Sequence, residues 1–227
     1  MAALEEWADW VRHTWQRFVR LLSGAPDFPP PANPSLLTET QGWFGEQLRR
    51  HANIPIARRG EYARAAGMIM ARMTPTALLR LRQNTREVRF YATLEEMTVE
   101  LARTEARVAR LLAAGLPIGG AYQSTTRQLH LDGGEEETEA RDILGLYAHE
   151  FSHALNGAGR LISSTLAWQQ AWEMEIRRYP FSLLAIASPH EGFAEFGRVM
   201  YSGSRRRSFL GWRYPRCVEV WRGYGLW

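Results

Sequence analysis

Two histidines four residues apart, with a glutamate directly after the first, are the residues whose types and spacing suggest chemistry. They form the pentapeptide His149-Glu150-Phe151-Ser152-His153. On a helix, residues four apart lie on one face, so both imidazoles can point at one metal ion while Glu150 lies about 100° around the axis as a base. On an amphipathic helix this pattern is typical of zinc hydrolases. The alternative is a pair of solvent-facing histidines on a surface helix.

The residues around the pentapeptide predict the helix that it needs. Apolar side chains recur at three- and four-residue spacing and predict one buried face, while the polar side chains fall on another. The helix would therefore pack against a core and still present both histidines together. The apolar positions are Ile143, Leu146, Tyr147, Phe151, Ala154 and Leu155, and the polar ones are Gly145, His149, Ser152, His153 and Asn156.

A catalytic zinc ion usually has three protein ligands and one water, so the histidine pair needs a third ligand. One class of zinc hydrolases places it six residues after the second histidine, but that position is Gly159, which has no side chain. The better candidate lies on a second predicted helix, where Glu191 and Glu195 share a face. Glu191 would bind the metal, and Glu195 would accept the ring N–H of a ligand histidine and orient it.

The start of that second helix allows a competing interpretation. Ser188, Pro189 and Glu191 also match a capping box, in which the Glu191 side chain satisfies a backbone N–H at the helix start. If Glu191 is such a cap, Glu195 becomes the metal ligand. The sequence favours Glu191 as the ligand and leaves both assignments open.

The composition is that of a soluble globular protein. The chain has 227 residues, of which 45% are hydrophobic and 23% charged, and its net charge is +4. All 28 basic residues are arginines, but they are scattered and form one run, Arg205-Arg206-Arg207, so a nucleic-acid partner is not favoured. The single cysteine, Cys217, cannot form an internal disulfide and is expected in the core.

The sequence predicts neither a membrane span nor a secretory signal. No stretch approaches the roughly 20 apolar residues that cross a bilayer. The N-terminal segment carries Glu5, Glu6 and Asp9, which do not fit a signal peptide. We therefore expect a cytoplasmic protein, or one exported by a route without a signal peptide.

Two units are predicted along the chain. Residues 1–34 form an amphipathic helix, residues 3–23, followed by a proline-rich linker. Residues 35–227 form the domain that carries the metal site. The N-terminal unit would pack on that domain, and one hypothesis is that it lies across the groove and keeps the site silent.

The remaining patterns predict an α+β fold, mostly helical, with a small mixed β-sheet next to the active-site helix. A strand at 86–91 and a hairpin with arms at 119–122 and 126–132 form the sheet. The second arm would lie beside the metal helix, where a strand edge can hold an extended peptide. His130 on that arm is expected at the surface. Helices are predicted at 35–51, 61–82 with a break at Thr74-Pro75, 94–114, 163–178 and from residue 188.

Two segments together resemble the catalytic domain of the anthrax toxin lethal factor family, which belongs to the gluzincin metallopeptidases. They are HEFSHALN at 149–156 and EGFAEFGRVMYS at 191–202, and the similarity extends to the hairpin, so that it covers roughly residues 85–205. The resemblance implies a zinc-dependent endopeptidase acting on protein or peptide substrates. It further implies His149, His153 and Glu191 as zinc ligands, Glu150 as general base and Glu195 as the partner of a ligand histidine.

This sequence departs from the family at two positions. Asn156 stands where relatives often have aspartate, and the tyrosine that relatives place before the ligand glutamate is not found at the matching position, near Leu184. Tyr179 or Tyr201 is the candidate to supply that catalytic hydroxyl. The departures also keep an alternative open, in which a catalytically weak or inactive zincin-fold protein acts as a zinc-containing binding module.

Overall fold

The computed structural model describes residues 33–50, 56–104, 120–132, 143–203 and 207–227. The predicted N-terminal helix, nearly all of the linker and the end of the helix predicted at 94–114 lie outside the described residues. The α-helices of the described part are α1 (Pro34–Arg50), α2 (Ile56–Met70), α3 (Pro75–Asn84), α4 (Leu94–Thr104), α5 (Ile143–Asn156), α6 (Leu166–Ala171), α7 (Pro189–Ser202), α8 (Arg207–Arg213) and α9 (Pro215–Gly223).

A three-stranded mixed sheet lies against these helices. Its strands are β1 (Glu87–Tyr91), β2 (Gly120–Gln123) and β3 (Gln128–Asp132), in the order β1-β3-β2. Strand β3 pairs in parallel with β1 and antiparallel with its hairpin partner β2. The predicted α+β fold, mostly helical with a small mixed sheet, is confirmed.

The sheet order corrects the prediction that the second hairpin arm offers its edge. Strand β3 is paired on both sides, so the strand that borders the sheet next to α5 is β2. Gly120 of β2 lies against Glu150 of α5, and a Cβ atom on Gly120 would be 2.6 Å from Glu150 Cγ. The edge available to an extended peptide is therefore that of the first arm.

Helices α5 and α7 cross at very short range and form the centre of the molecule. A Cβ atom on Gly197 would lie 1.9 Å from Ser152 Oγ and 2.8 Å from the ring of Trp221. Glycine is thus required for the crossing. Trp221 of α9 stacks on Phe193 of α7, with the ring centroids 4.6 Å apart, so the C-terminal helix packs against the centre of the molecule.

Two predicted helix starts are confirmed by their caps. Thr74 Oγ1 accepts a hydrogen bond from the N–H of Ala77 at 3.1 Å, just before Pro75 opens α3. Ser188 Oγ accepts one from the N–H of Glu191 at 3.1 Å, at the start of α7. In both places a hydroxyl followed by proline ends one segment and begins the next.

The helix predicted at 163–178 is confirmed from Leu166 to Ile176, but it starts later and its last turn is π-helical. The chain forms a 3₁₀ turn at Ile162–Ser164, the short helix α6 and a π-helical turn at Trp172–Ile176. The wider turn suits the buried side chains there: the Trp172 indole donates to the Ala185 carbonyl at 2.8 Å, and Glu175 accepts the backbone N–H of Cys217 at 3.0 Å. Cys217 is fully buried, as predicted.

His130 is buried rather than exposed, because α4 packs against the face of the sheet on which it lies. The side chain is 2% exposed. Gln123 Oε1 lies 3.2 Å from Nε2, which therefore carries the proton, and the Tyr91 hydroxyl donates to Nδ1 at 2.7 Å. Burial and the charge of Arg89 lower the pKa of His130 to about 4.

None of the helices in the described ranges has the length and apolar character needed to cross a membrane.

Candidate metal centre

Packing of α5 on α7 brings two imidazoles and one carboxylate together. His149 Nε2 and His153 Nε2 lie 3.0 Å apart, and Glu191 Oε2 lies 3.4 Å from the first and 3.5 Å from the second. All three side chains are buried. Three ligand atoms from positions 149, 153 and 191 thus converge on one point.

The triangle has the size that a zinc ion requires. Zinc–nitrogen and zinc–oxygen bonds of about 2.0–2.1 Å in tetrahedral geometry place ligand atoms roughly 3.3 Å apart. The three observed separations, 3.0, 3.4 and 3.5 Å, bracket that value. Two histidines and one glutamate are also a donor set found at catalytic zinc sites. These residues therefore fit a single zinc ion.

The electrostatics of the group favour a positive charge at its centre. Burial lowers the pKa of His149, but its hydrogen bonds to Glu191 and Glu195 outweigh burial and raise it to about 10. Burial raises the pKa of Glu191, but the hydrogen bonds from His149 and His153 hold it well below its usual range. A cation bound between the three side chains would interact favourably with the two carboxylates.

Glu195 contacts the far side of the His149 ring. Its Oε1 accepts the Nδ1–H of His149 at 2.9 Å, which fixes the tautomer and leaves Nε2 facing the other two ligand atoms. Arg198 holds this carboxylate with Nε at 2.7 Å from Oε1 and a terminal nitrogen at 3.0 Å from Oε2, and the Ser182 hydroxyl donates to Oε2. Neither Arg198 nor Ser182 is among the site residues predicted from the sequence. The three-residue spacing of Arg198 from Glu195 was a usable signal, whereas Ser182 had none.

The two interpretations of Glu191 turn out to concern different atoms. Its backbone N–H is capped by Ser188, whereas its carboxylate points at the two imidazoles. Half of the capping box is therefore present, and it leaves the side chain available. The carboxylate that lies with the histidine pair is that of Glu191, and Glu195 lies behind it.

Glu150 is held beside this group in a buried position. Its side chain is 4% exposed, and Oε2 makes no hydrogen bond with any residue that the structure describes. Burial raises the pKa of Glu150 to about 7, against the lowering effect of His149. A buried carboxylate oxygen without a protein partner is uncommon and points to a functional group or a bound solvent molecule.

A polar residue that the sequence analysis overlooked, His190, lies next to the ligand set. Its ring stacks on that of His153 with centroids 4.5 Å apart. Asn156 accepts the Ser163 N–H on Oδ1 at 2.8 Å, so its amide nitrogen must donate to His190 Nδ1, also at 2.8 Å. Asn156, the position that departs from the family, thus orients His190. No spacing rule could have found this contact.

The two candidate tyrosines are not brought to the metal group. Tyr201 is fully buried, its hydroxyl donates to the Leu226 carbonyl at 2.8 Å, and it lies ten residues, or about 15 Å, along α7 from Glu191. Tyr179 is 51% exposed and lies under the Arg213 guanidinium, 3.8 Å from the ring centroid. The structure thus gives neither hydroxyl the position that the sequence analysis expected.

A scan against models of known families finds no match, and no curated protein matches the sequence. Among solved structures, the Pro-Pro endopeptidase PPEP-2 from Paenibacillus alvei is similar, with a TM-score of 0.53 and 20% sequence identity. The alignment covers 74% of this chain and 91% of that one. The two chains share a fold. The resemblance to the lethal factor family stays a prediction.

Proposed function

We propose that this chain is a zinc-dependent endopeptidase. The observation that carries the proposal is the convergence of His149, His153 and Glu191 on one point, with the Glu150 carboxylate buried beside them. A purely structural zinc site has no use for a buried carboxylate next to its ligands. The fold shared with an endopeptidase supports the same proposal.

His149 Nε2, His153 Nε2 and a Glu191 oxygen would hold the zinc ion. Zinc, when bound, polarises a peptide carbonyl and lowers the pKa of its water ligand towards about 7. Glu195, held by Arg198 and Ser182, keeps His149 in the tautomer that presents Nε2.

Glu150 acts as the general base. It takes a proton from the attacking water and passes it to the leaving amine. Its place follows from the fold, because it is one residue after His149 on α5 and its carboxyl lies against Gly120 of β2. Both the water and the leaving group must therefore come within reach of the Glu150 carboxyl.

The substrate is a protein or peptide in extended form. Strand β2 borders the sheet directly beside Glu150, and an extended peptide can add to such an edge through main-chain hydrogen bonds. This binding mode places a peptide bond, rather than a side chain, next to the base. Since PPEP-2 is a Pro-Pro endopeptidase, peptides containing Pro-Pro are the first to test.

Replacement of Glu150 tests the proposal. Glu150→Gln keeps the shape of the side chain but removes the base, so we expect at least about a 100-fold loss of cleavage with zinc still bound at one ion per chain. Glu173→Gln, on the exposed surface, is the matched control and should cleave normally. Wild-type protein that holds zinc but cleaves no peptide would instead support the zinc-containing binding module. Unchanged cleavage by Glu150→Gln would remove the assigned base.

A further inference from the structure

A cleft of about 440 Å³ lies next to the candidate metal group. Its walls come from three parts of the chain: β2 with the turn that follows it, the segment from Leu161 into α6, and the start of α7. The connection to the metal group is His190, which lines the cleft and stacks on His153 at 4.5 Å. The polar residues that line the cleft include Tyr122, Ser124, Ser163, Ser164, Gln169 and His190.

The cleft follows the course that a peptide on β2 would take. Gly120 lies against Glu150, and Tyr122, which lines the cleft, lies two residues further along β2. Ser124, which also lines the cleft, follows in the turn after β2. Residues two apart in a strand point to the same face and are about 7 Å apart. A peptide whose reacting bond lies at Glu150 therefore has a neighbouring side chain at the cleft.

The chemistry of the cleft walls is neutral and rich in hydroxyl groups. Among the residues that the structure describes, neither a carboxylate nor a guanidinium lines the cleft, although charged residues make up 23% of the chain and its net charge is +4. Serine hydroxyls and the Gln169 amide can both donate and accept hydrogen bonds. His190 Nδ1 accepts a hydrogen bond from the Asn156 amide at 2.8 Å.

We propose that this cleft is the specificity pocket of the enzyme and that it selects substrates with an uncharged side chain within two residues of the cleaved bond. This inference rests on the proposed peptidase function. A charged side chain would lose water in the cleft and meet no opposite charge, whereas an amide, a hydroxyl or a small apolar group loses little.

Two adjacent glutamines give a matched test of the pocket. Gln169 lines the cleft, while Gln170, the next residue of α6, does not, and both are exposed. Gln169→Glu therefore adds one negative charge to the pocket, and Gln170→Glu adds the same charge beside it. Ser164 lines the same wall of the cleft as Gln169, five residues earlier in the chain. Ser164→Asp is therefore a second variant that adds a negative charge to this wall.

The experiment compares peptides that differ at one position. Mass spectrometry first locates the bond that the wild type cleaves, and each position within two residues of it is then occupied by Gln, Lys or Glu. At one position we expect kcat/KM to fall about 10-fold or more for Lys and for Glu. Gln169→Glu should raise kcat/KM for the Lys peptide about 2- to 5-fold and lower it for the Glu peptide, while Gln170→Glu leaves both unchanged.

The outcomes separate the pocket from the activity itself. Cleavage that ignores charge at every flanking position, or equal effects of Gln169→Glu and Gln170→Glu, would overturn the pocket while leaving the peptidase in place. No zinc-dependent cleavage by the wild type would overturn both.

Discussion

His149 Nδ1 and Glu195 Oε1 lie 2.9 Å apart, although the two residues are 46 positions apart in the sequence and belong to different helices. This hydrogen bond fixes which ring nitrogen of His149 faces the other ligand atoms. It joins α5 to α7 at the point where the metal site needs both helices. The packing of the two helices and the chemistry of the site therefore depend on the same contact.

Loss of Glu195 is expected to weaken zinc binding without removing a ligand. Glu195→Ala frees the His149 ring and leaves Arg198 without its carboxylate, so we expect zinc affinity to fall about 10- to 100-fold. Competition with a chromophoric chelator measures this directly. Glu173→Ala, on the surface, is the control. An unchanged dissociation constant would show that His149 needs no orienting partner.

A methyl group on Gly120 is expected to impair the base and spare the metal. The added Cβ of Gly120→Ala would lie 2.6 Å from Glu150 Cγ, so the carboxyl group has to move. We expect kcat/KM to fall on the order of 100-fold, because catalysis tolerates little misplacement, while zinc content stays at one per chain. Gly159→Ala, which meets nothing within 4 Å, is the matched control. Equal activity of the two variants would argue that Glu150 does not act from this position.

The close crossing of α5 and α7 is expected to be intolerant of a larger residue at position 197. Gly197→Ala places a Cβ 1.9 Å from Ser152 Oγ, so the helices must separate, at a cost of about 1–3 kcal/mol in the free energy of unfolding. Ser152→Gly in the same chain removes the clashing atoms and should restore part of that loss. Denaturant unfolding of the two single variants and the double variant gives the coupling energy. Strict additivity would rule out the steric explanation.

The clustering of the candidate metal ligands could be predicted because these residues lie at helical spacing. His149 and His153 share a face of one helix, and Glu191 and Glu195 share a face of another, so short-range periodicity was sufficient. Contacts that depend on three-dimensional packing had no such signal. His190 approaches His153 only because α7 crosses α5, and its orientation depends on an amide 34 residues away.

The positions of Tyr201 and His130 also depend on three-dimensional packing that short-range periodicity does not reveal. Tyr201 was a candidate for the catalytic hydroxyl, but ten helical residues place it about 15 Å along the helix from Glu191. His130 was expected at the surface because an isolated hairpin has one solvated face. The parallel pairing of β3 with β1 and the cover provided by α4 bury it. A pairing between strands about 40 residues apart leaves no periodic pattern that could be read in advance.

The buried His130 predicts a loss of stability in weak acid. Its pKa is about 4 in the folded protein against 6.5 in the unfolded chain, so the unfolded chain binds more protons between these values. The neutral His130 ring therefore contributes to the free energy of unfolding. This contribution is complete above pH 6.5 and disappears as the pH falls towards 4. It is on the order of 3 kcal/mol.

His130→Phe isolates this effect, since phenylalanine does not titrate. In the presence of a chelator, the wild type should lose more free energy of unfolding than His130→Phe between pH 7 and pH 4. Parallel pH profiles for the two proteins would mean that His130 is as easily protonated in the folded state as in the unfolded one.

Anomalous diffraction at the zinc absorption edge, from crystals grown with one equivalent of zinc, tests the central claim most directly. We predict one anomalous peak per chain, within about 2.0–2.2 Å of His149 Nε2, His153 Nε2 and a Glu191 oxygen, with Glu195 still on His149 Nδ1. A peak elsewhere on the chain, or a zinc ion bound by Glu195 in place of Glu191, would contradict the account.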